Sequence, residues 1–166
     1  MKQLIIIRHA KSSWETASKD RERPLSVRGI QDAHLISSNC CELLPKSFVF
    51  WSSTAKRASE TAIIFAQNLS CPEDSIIYKD VLYTFDEKQL EKAIKSCNDQ
   101  FDNLIIFGHN PAITNFVNKF TDAAYDNIPT CGFVAINFEQ TRWQEISNGE
   151  IQKVIFPKDL KNEHNV

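Results

Sequence analysis

The chain has 166 residues, 42% of them hydrophobic and 24% charged, with a net charge of -2 at pH 7. That length holds one core of ordinary size rather than two, and the balance argues against both general disorder and a membrane protein. The charge supplies no global positive field to attract nucleic acid or an anionic membrane, so any anion site must be local.

The N-terminus does not read as a secretory signal, because the apolar run Leu4 to Ile7 meets Arg8 after four residues. No run is long enough to span a bilayer. The five cysteines, Cys40, Cys41, Cys71, Cys97 and Cys131, are an odd number without a CxxC pair or a histidine at zinc-ligand spacing. Reduced thiols, and hence a cytoplasmic location, are the expectation.

Taken in chain order, Leu4 to Ile7 is a continuous apolar run of strand length. Ser26 to Leu44 then shows helical spacing of Ile30, Ala33, Leu35 and Ile36, with Ser26 as N-cap and Pro45 beyond the end. A second apolar run, Phe48 to Trp51, is followed by a helical pattern over Ala55 to Leu69 and another over Asp86 to Ser96. Leu104 to Phe107 is the third run, and Pro111 sits where a first helical turn accepts proline, ahead of Ile113, Phe116, Val117 and Phe120. Runs of this kind are the pattern of buried parallel strands, and their alternation with helices predicts an α/β fold with a mainly parallel sheet. Phe133 to Phe138, Trp143 to Ile146 and Ile151 to Ile155 are strand-like with no helix between them, which predicts a closing antiparallel edge. The domain is expected to end near residue 157, with 158–166 a loose polar tail.

Ligands in open α/β sheets bind outside the carboxyl ends of the strands. Here those ends carry Arg8-His9, then Ser52-Ser53 with Lys56-Arg57, then Gly108-His109-Asn110. Two arginines and two histidines at one edge call for an anion to offset their charge. The planar guanidinium fork suits phosphoryl oxygens, and helices beginning near Ala55 and Pro111 would add favourable dipoles. For His9 or Arg57 taken alone a capping or surface role is the simpler reading; it is the joint placement after three strands that points to phosphate. A Cys-x5-Arg thiolate site, an aspartyl nucleophile, a P-loop and a two-metal cluster are all missing from the sequence. A histidine nucleophile is the economical remaining choice.

The stretches "RHA" at 8–10, "SSTAKRASETA" at 52–62 and "GHNP" at 108–111 resemble the histidine phosphatase superfamily. "RHAKSSW", "DRERPLSVRG" at 20–29 and "IPTCGFVAINF" at 128–138 are similar to its short SixA-type phosphohistidine phosphatase branch. This resemblance implies a three-layer α/β/α sandwich of the phosphoglycerate mutase-like kind. It also implies His9 as a nucleophile that takes the phosphoryl group, Arg8 and Arg57 as phosphate clamps, and His109 as a second pocket histidine bonded to phosphoryl oxygens. No metal ion and no cofactor are implied. Chemically, His9 must be neutral at its attacking nitrogen while the other nitrogen donates to a fixed acceptor such as a backbone carbonyl.

In larger members a carboxylate between the second helix and the GH strand protonates the leaving oxygen. Asp80, Asp86 and Glu87 are the candidates in this chain, although Asp86 and Glu87 also read simply as helix-start carboxylates favoured by the dipole. An imidazole leaving group needs such an acid less than an alkoxide does. About 34 residues between Leu69 and Leu104 leave little room for a helical cap once a helix is subtracted. Together these favour a phosphohistidine on a protein surface, for example on a histidine phosphotransfer domain, with inorganic phosphate as product. A small-molecule phosphomonoesterase and a non-catalytic phosphate- or phosphoprotein-binding module are the alternatives. Lys11, Ser12, Ser13 and Trp14 are expected near the opening, and Arg21, Arg23 and Arg28 resemble rim positions or form local ion pairs. Cys131 is expected to be a buried small apolar residue rather than a redox-sensitive thiol.

Overall fold

The computed structural model describes residues 1–15 and 17–164, with side chains to Lys161. Six strands form one sheet: β1 (Lys2–Arg8), β2 (Val49–Ser53), β3 (Ile76–Lys79), β4 (Asn103–Gly108), β5 (Phe133–Phe138) and β6 (Glu150–Ile155), in the order β3-β2-β4-β1-β5-β6. β3, β2, β4 and β1 run parallel, while β5 and β6 close the sheet antiparallel. This is the predicted α/β architecture.

The period-2 alternation of the strands divides the core. Leu4, Ile6, Trp51, Leu104 and Ile106 face one side and pack under α3 (Glu87–Lys95) and α4 (Ala112–Phe120) through Leu90, Ile94, Ile113 and Phe116. Ile5, Ile7, Phe50, Ile105 and Phe107 face the other, beneath α1 (Val27–Cys40) and α2 (Lys56–Asn68) through Ala33, Ile36, Ala62 and Phe65. Helices therefore cover both faces. Ser26 caps α1 as expected, its hydroxyl oxygen accepting from Gly29 N at 3.0 Å. From Ser70 to Asp102 the chain holds β3, short turns and α3, and α3 lies on the sheet rather than over its edge.

Two local expectations are corrected, and one strand is added. Trp143 to Ile146 is not a strand: Trp143–Glu145 forms a 3-10 turn, fixed because Trp143 N donates to Asp99 Oδ1 at 2.8 Å and its buried indole donates to Phe101 O at 2.7 Å. β3 had no strong sequence signal, since this short edge strand keeps Ile77 and Tyr78 partly exposed. Within the supposedly loose tail, Pro157–His164 is helical (α5); Leu160 packs against α1's side of the core and Lys161 Nζ lies 2.7 Å from Asp32 Oδ1. Residues 165–166 of that tail lie outside the described residues. Among the described residues, no helix is long and apolar enough to cross a membrane.

Candidate active site

β2, β4 and β1 are adjacent and parallel, so their carboxyl ends meet at one edge, with Arg8 level with Gly108 and Ser52 level with Phe107. β4 leads into α4 on one face, whereas β1 and β2 on either side of it lead into α1 and α2 on the other. That reversal of winding opens a crevice at the strand ends. His9 follows β1, Arg57 is in the first turn of α2 after β2, and His109 follows β4. The rings of His9 and His109 stand 5.2 Å apart.

His9 is held from several directions. Its N–H donates to Gly108 O at 3.0 Å, and its carbonyl, with that of Arg8, accepts from Cys131 N at 3.0 Å. The next residue, Ala10, donates its N–H to Thr61 Oγ1 on α2. His9 Nδ1 is 2.7 Å from Ala10 O, and because a carbonyl only accepts, Nδ1 carries the proton. Burial, with Arg57 and Arg8 nearby, holds the imidazolium form off until about pH 3 despite the favourable Ala10 bond. A neutral ring with its proton on Nδ1 leaves the lone pair on Nε2.

Three other buried nitrogens in the cluster have no hydrogen-bond partner among the described residues: Arg8 Nε, Arg57 Nε and His109 Nδ1. Their neighbouring atoms are tied to protein. Arg8 Nη1 donates to Ile128 O at 2.9 Å; Arg57 Nη1 and Nη2 donate to Asp20 O at 2.7 Å and Asp20 Oδ2 at 3.1 Å; His109 Nε2 meets Ser53 Oγ at 2.8 Å. Burial lowers the His109 value to about 2, with His9 and Arg57 adding to the effect, and also lowers that of Arg8. Leaving a buried donor unpaired costs about 1–3 kcal/mol each. Gathered at one strand edge, the three nitrogens are placed to meet an acceptor from outside the chain.

At the rim, Ser12 Oγ accepts from Arg23 Nε at 2.8 Å, and the Arg23 guanidinium lies 3.8 Å from the ring of Trp14, which is 76% exposed. Lys11 is exposed, and its carbonyl accepts from Ser26 N at 2.8 Å. Arg21 pairs with Asp80 and Thr54, and Arg28 Nε lies 3.7 Å from Asp32 Oδ2. Asp86 is spent as the N-cap of α3, accepting from Lys88 N, and Glu87 Oε2 lies 3.9 Å from Lys119 Nζ on α4. For Asp86 that is the helix-start role weighed against an acid function. Cys131 is fully buried and burial raises its thiol value, in line with an apolar packing role.

Sequence reasoning missed three residues that border the site. Asp20 forms one of the local ion pairs expected of the rim arginines, with Arg23 at 2.9 Å, but its carboxylate also binds Arg57 and the Tyr83 hydroxyl. Burial opposes ionisation of Asp20, yet these bonds outweigh it and hold the group near 2. Tyr83 and Phe85 place their rings 5.3 and 5.5 Å from that of His109. Both lie in an aperiodic stretch between β3 and α3, where nothing in the pattern distinguishes a wall residue from an ordinary loop aromatic.

The sequence model of the histidine phosphatase superfamily (branch 1) matches residues 4–82. An uncharacterized protein of Mycobacterium leprae, ML1117, is 28% identical over 163 residues, covering 90% of this chain and 98% of its own. Among solved structures, the protein histidine phosphatase SixA complexed with tungstate aligns with a TM-score of 0.76 at 18% identity, covering 95% of this chain and 99% of that one. A mycobacterial glucosyl-3-phosphoglycerate phosphatase complexed with VO3 aligns at 0.68 and 10% identity, covering 92% and 98%. These likenesses establish the fold.

Proposed function

Since residues 4–82 match the sequence model of the histidine phosphatase superfamily (branch 1), we propose that the chain is a phosphatase of that family working through a phosphoryl group carried on His9, and that its substrates are phosphohistidines on proteins. The observation that carries this reading is the set of three unpaired buried donors, Arg8 Nε, Arg57 Nε and His109 Nδ1, gathered beside a histidine whose Nε2 lone pair is free.

In this reading Nε2 of His9 attacks phosphorus in line, the bond to the leaving nitrogen breaks, and its electron pair stays with the leaving ring, which departs as neutral imidazole from the form of the substrate whose other ring nitrogen is protonated. The three donors meet the equatorial oxygens as charge spreads over them. Two guanidiniums supply the positive charge that a metal ion supplies in other phosphatases. Water then attacks the phosphorus from the side the imidazole has vacated. The P–Nε2 bond breaks, phosphate leaves with the new oxygen, and His9 is restored with its proton on Nδ1. The Ala10 carbonyl keeps the ring in the attacking tautomer throughout.

Phosphohistidine is favoured because, of the sequence candidates for an acid, Asp80 is bonded to Arg21 and Thr54, Asp86 caps α3 through Lys88 N, and Glu87 Oε2 lies 3.9 Å from Lys119 Nζ. An alkoxide would need such an acid, and an imidazole departs readily without one. The SixA relative's description as a protein histidine phosphatase points the same way. Phosphate release from a phosphohistidine-bearing phosphotransfer domain tests the reading. Arg57→Ala should slow release by about 10²–10³, the usual cost of losing one transition-state donor. Turnover of simple phosphate esters far above that of phosphohistidine would reassign the substrate to small molecules. Phosphate binding without turnover of either would make the protein a binding module.

A further inference from the structure

We infer that Asp20 is a specificity-determining residue: its carboxylate, fixed at the mouth of the site between Arg57, Arg23 and Tyr83, disfavours leaving groups that carry negative charge and favours neutral or cationic ones. The inference rests on reading the site as one for phosphoryl transfer.

The position follows from the contacts. Asp20 lies in the long connection between β1 and α1, and its side chain is 46% exposed while the Arg57 it holds is 2% exposed. It thus marks the border between the buried donors and solvent. Its carboxylate also takes the hydroxyl of Tyr83, whose ring flanks His109. The strand ends close the inner side of the crevice, so a phosphoryl group seated on the donors must direct its leaving group outward, past this carboxylate.

The charge count gives the selection its sign. Arg8, Arg23 and Arg57 contribute three positive charges, Asp20 one negative charge, and the two histidines are neutral. The resulting two positive charges match a phosphoryl dianion. A leaving group with a carboxylate or second phosphate exceeds that match and meets Asp20 as a like charge. An imidazole does not. Arg21 and Asp80, the next ion pair along the mouth, offset one another.

Asp20 also serves as a strut for Arg57, but that role is separable. Its backbone carbonyl accepts from Arg57 Nη1 at 2.7 Å whatever the side chain is. Asp20→Asn removes the charge, keeps an acceptor oxygen, and leaves the carbonyl in place.

The experiment uses three aryl phosphates alike except for a carboxylate, a neutral amide or a trimethylammonium group on the leaving phenol. Each is assayed with wild type, Asp20→Asn and, should that variant not fold, Asp20→Ser. The readout is the ratio of kcat/KM values, or of dissociation constants if turnover is absent. Wild type should rank cationic above neutral above anionic, and loss of the charge should shrink the neutral-to-anionic ratio by about 3- to 10-fold, as expected for a charge several ångströms away in partly screened surroundings. An unchanged ratio would overturn the inference, as would an equal fall for all three compounds, which is the mark of a strut alone. Failure of the phosphohistidine assay shows up separately and leaves this ratio readable.

Discussion

Ser53 decides which nitrogen of His109 carries the proton. Its Oγ accepts from Ala55 N at 3.1 Å, and among the described residues its hydroxyl proton has no acceptor other than His109 Nε2 at 2.8 Å, so the neutral ring holds its own proton on the unpaired Nδ1. The first turn of α2 thereby orients a donor that belongs to the end of β4. Ser53→Ala should leave Nε2 without a partner and let the proton migrate. We expect the imidazole ¹⁵N spectrum to lose its Nδ1–H signature and kcat to fall about tenfold or more. Retention of the same tautomer in the variant would show that Ser53 does not set it.

Gly29 is required for the loop that follows His9. A Cβ there would lie 2.0 Å from Lys11 O, a backbone atom that also accepts from Ser26 N and Ser26 Oγ. Gly29→Ala should therefore cost about 1–3 kcal/mol or more, in the range of overpacked positions. It should also lower activity by displacing Ser12 and, through it, Arg23. Chemical denaturation together with kcat/KM checks both; an unperturbed denaturation midpoint would contradict the contact.

Asp86 and Glu87 should behave as structural carboxylates. Asp86→Ala removes the N-cap of α3 and should cost about 1 kcal/mol of stability, while Glu87→Gln should change little. Phosphohistidine turnover should stay within about twofold in both, which is the range of surface changes away from a reacting group. A large loss of turnover with stability intact would identify one of them as an acid.

The buried histidines make stability depend on pH. His9 and His109 protonate near 3 and 2 in the folded chain against 6.5 when exposed, so the unfolded chain binds more protons in the window between. Stability is fully present above about pH 6.5 and falls as pH drops through that window. Asp20, lowered from 3.8 to about 2, adds a loss that begins below 3.8. Urea midpoints should fall from pH 7 to pH 5, and less steeply in His9→Ala. Because His9 stays neutral over this range, kcat/KM should show no acid limb from His9 between pH 7 and pH 5.

Sheet and helices were legible where burial dominates. The runs at Leu4, Phe48 and Leu104 are continuous because both faces of β1, β2 and β4 are covered, and the 3.6-residue spacing of α1, α2 and α4 follows from their one-sided packing. The placement of Arg8, His9, Arg57 and His109 could be anticipated because each follows one of those strong signals. β3 carried none, being a short edge strand, and Trp143 imitated a strand residue while being held by two hydrogen bonds from across the chain. Asp20 was invisible as a site residue for the same reason: its role depends on Arg57, 37 positions away, and Tyr83, 63 away. Local pattern does not encode contacts of that separation.

The central claim is that His9 carries the phosphoryl group, and intact-protein mass after rapid quenching tests it most directly. Wild type and His9→Ala are mixed with a phosphohistidine-bearing phosphotransfer domain, with a simple aryl phosphate in parallel. The account predicts an acid-labile increment of one phosphoryl group that maps to His9, forms faster from phosphohistidine, and is missing in His9→Ala. Phosphate release at wild-type rate by His9→Ala, or an increment on another residue, would contradict it.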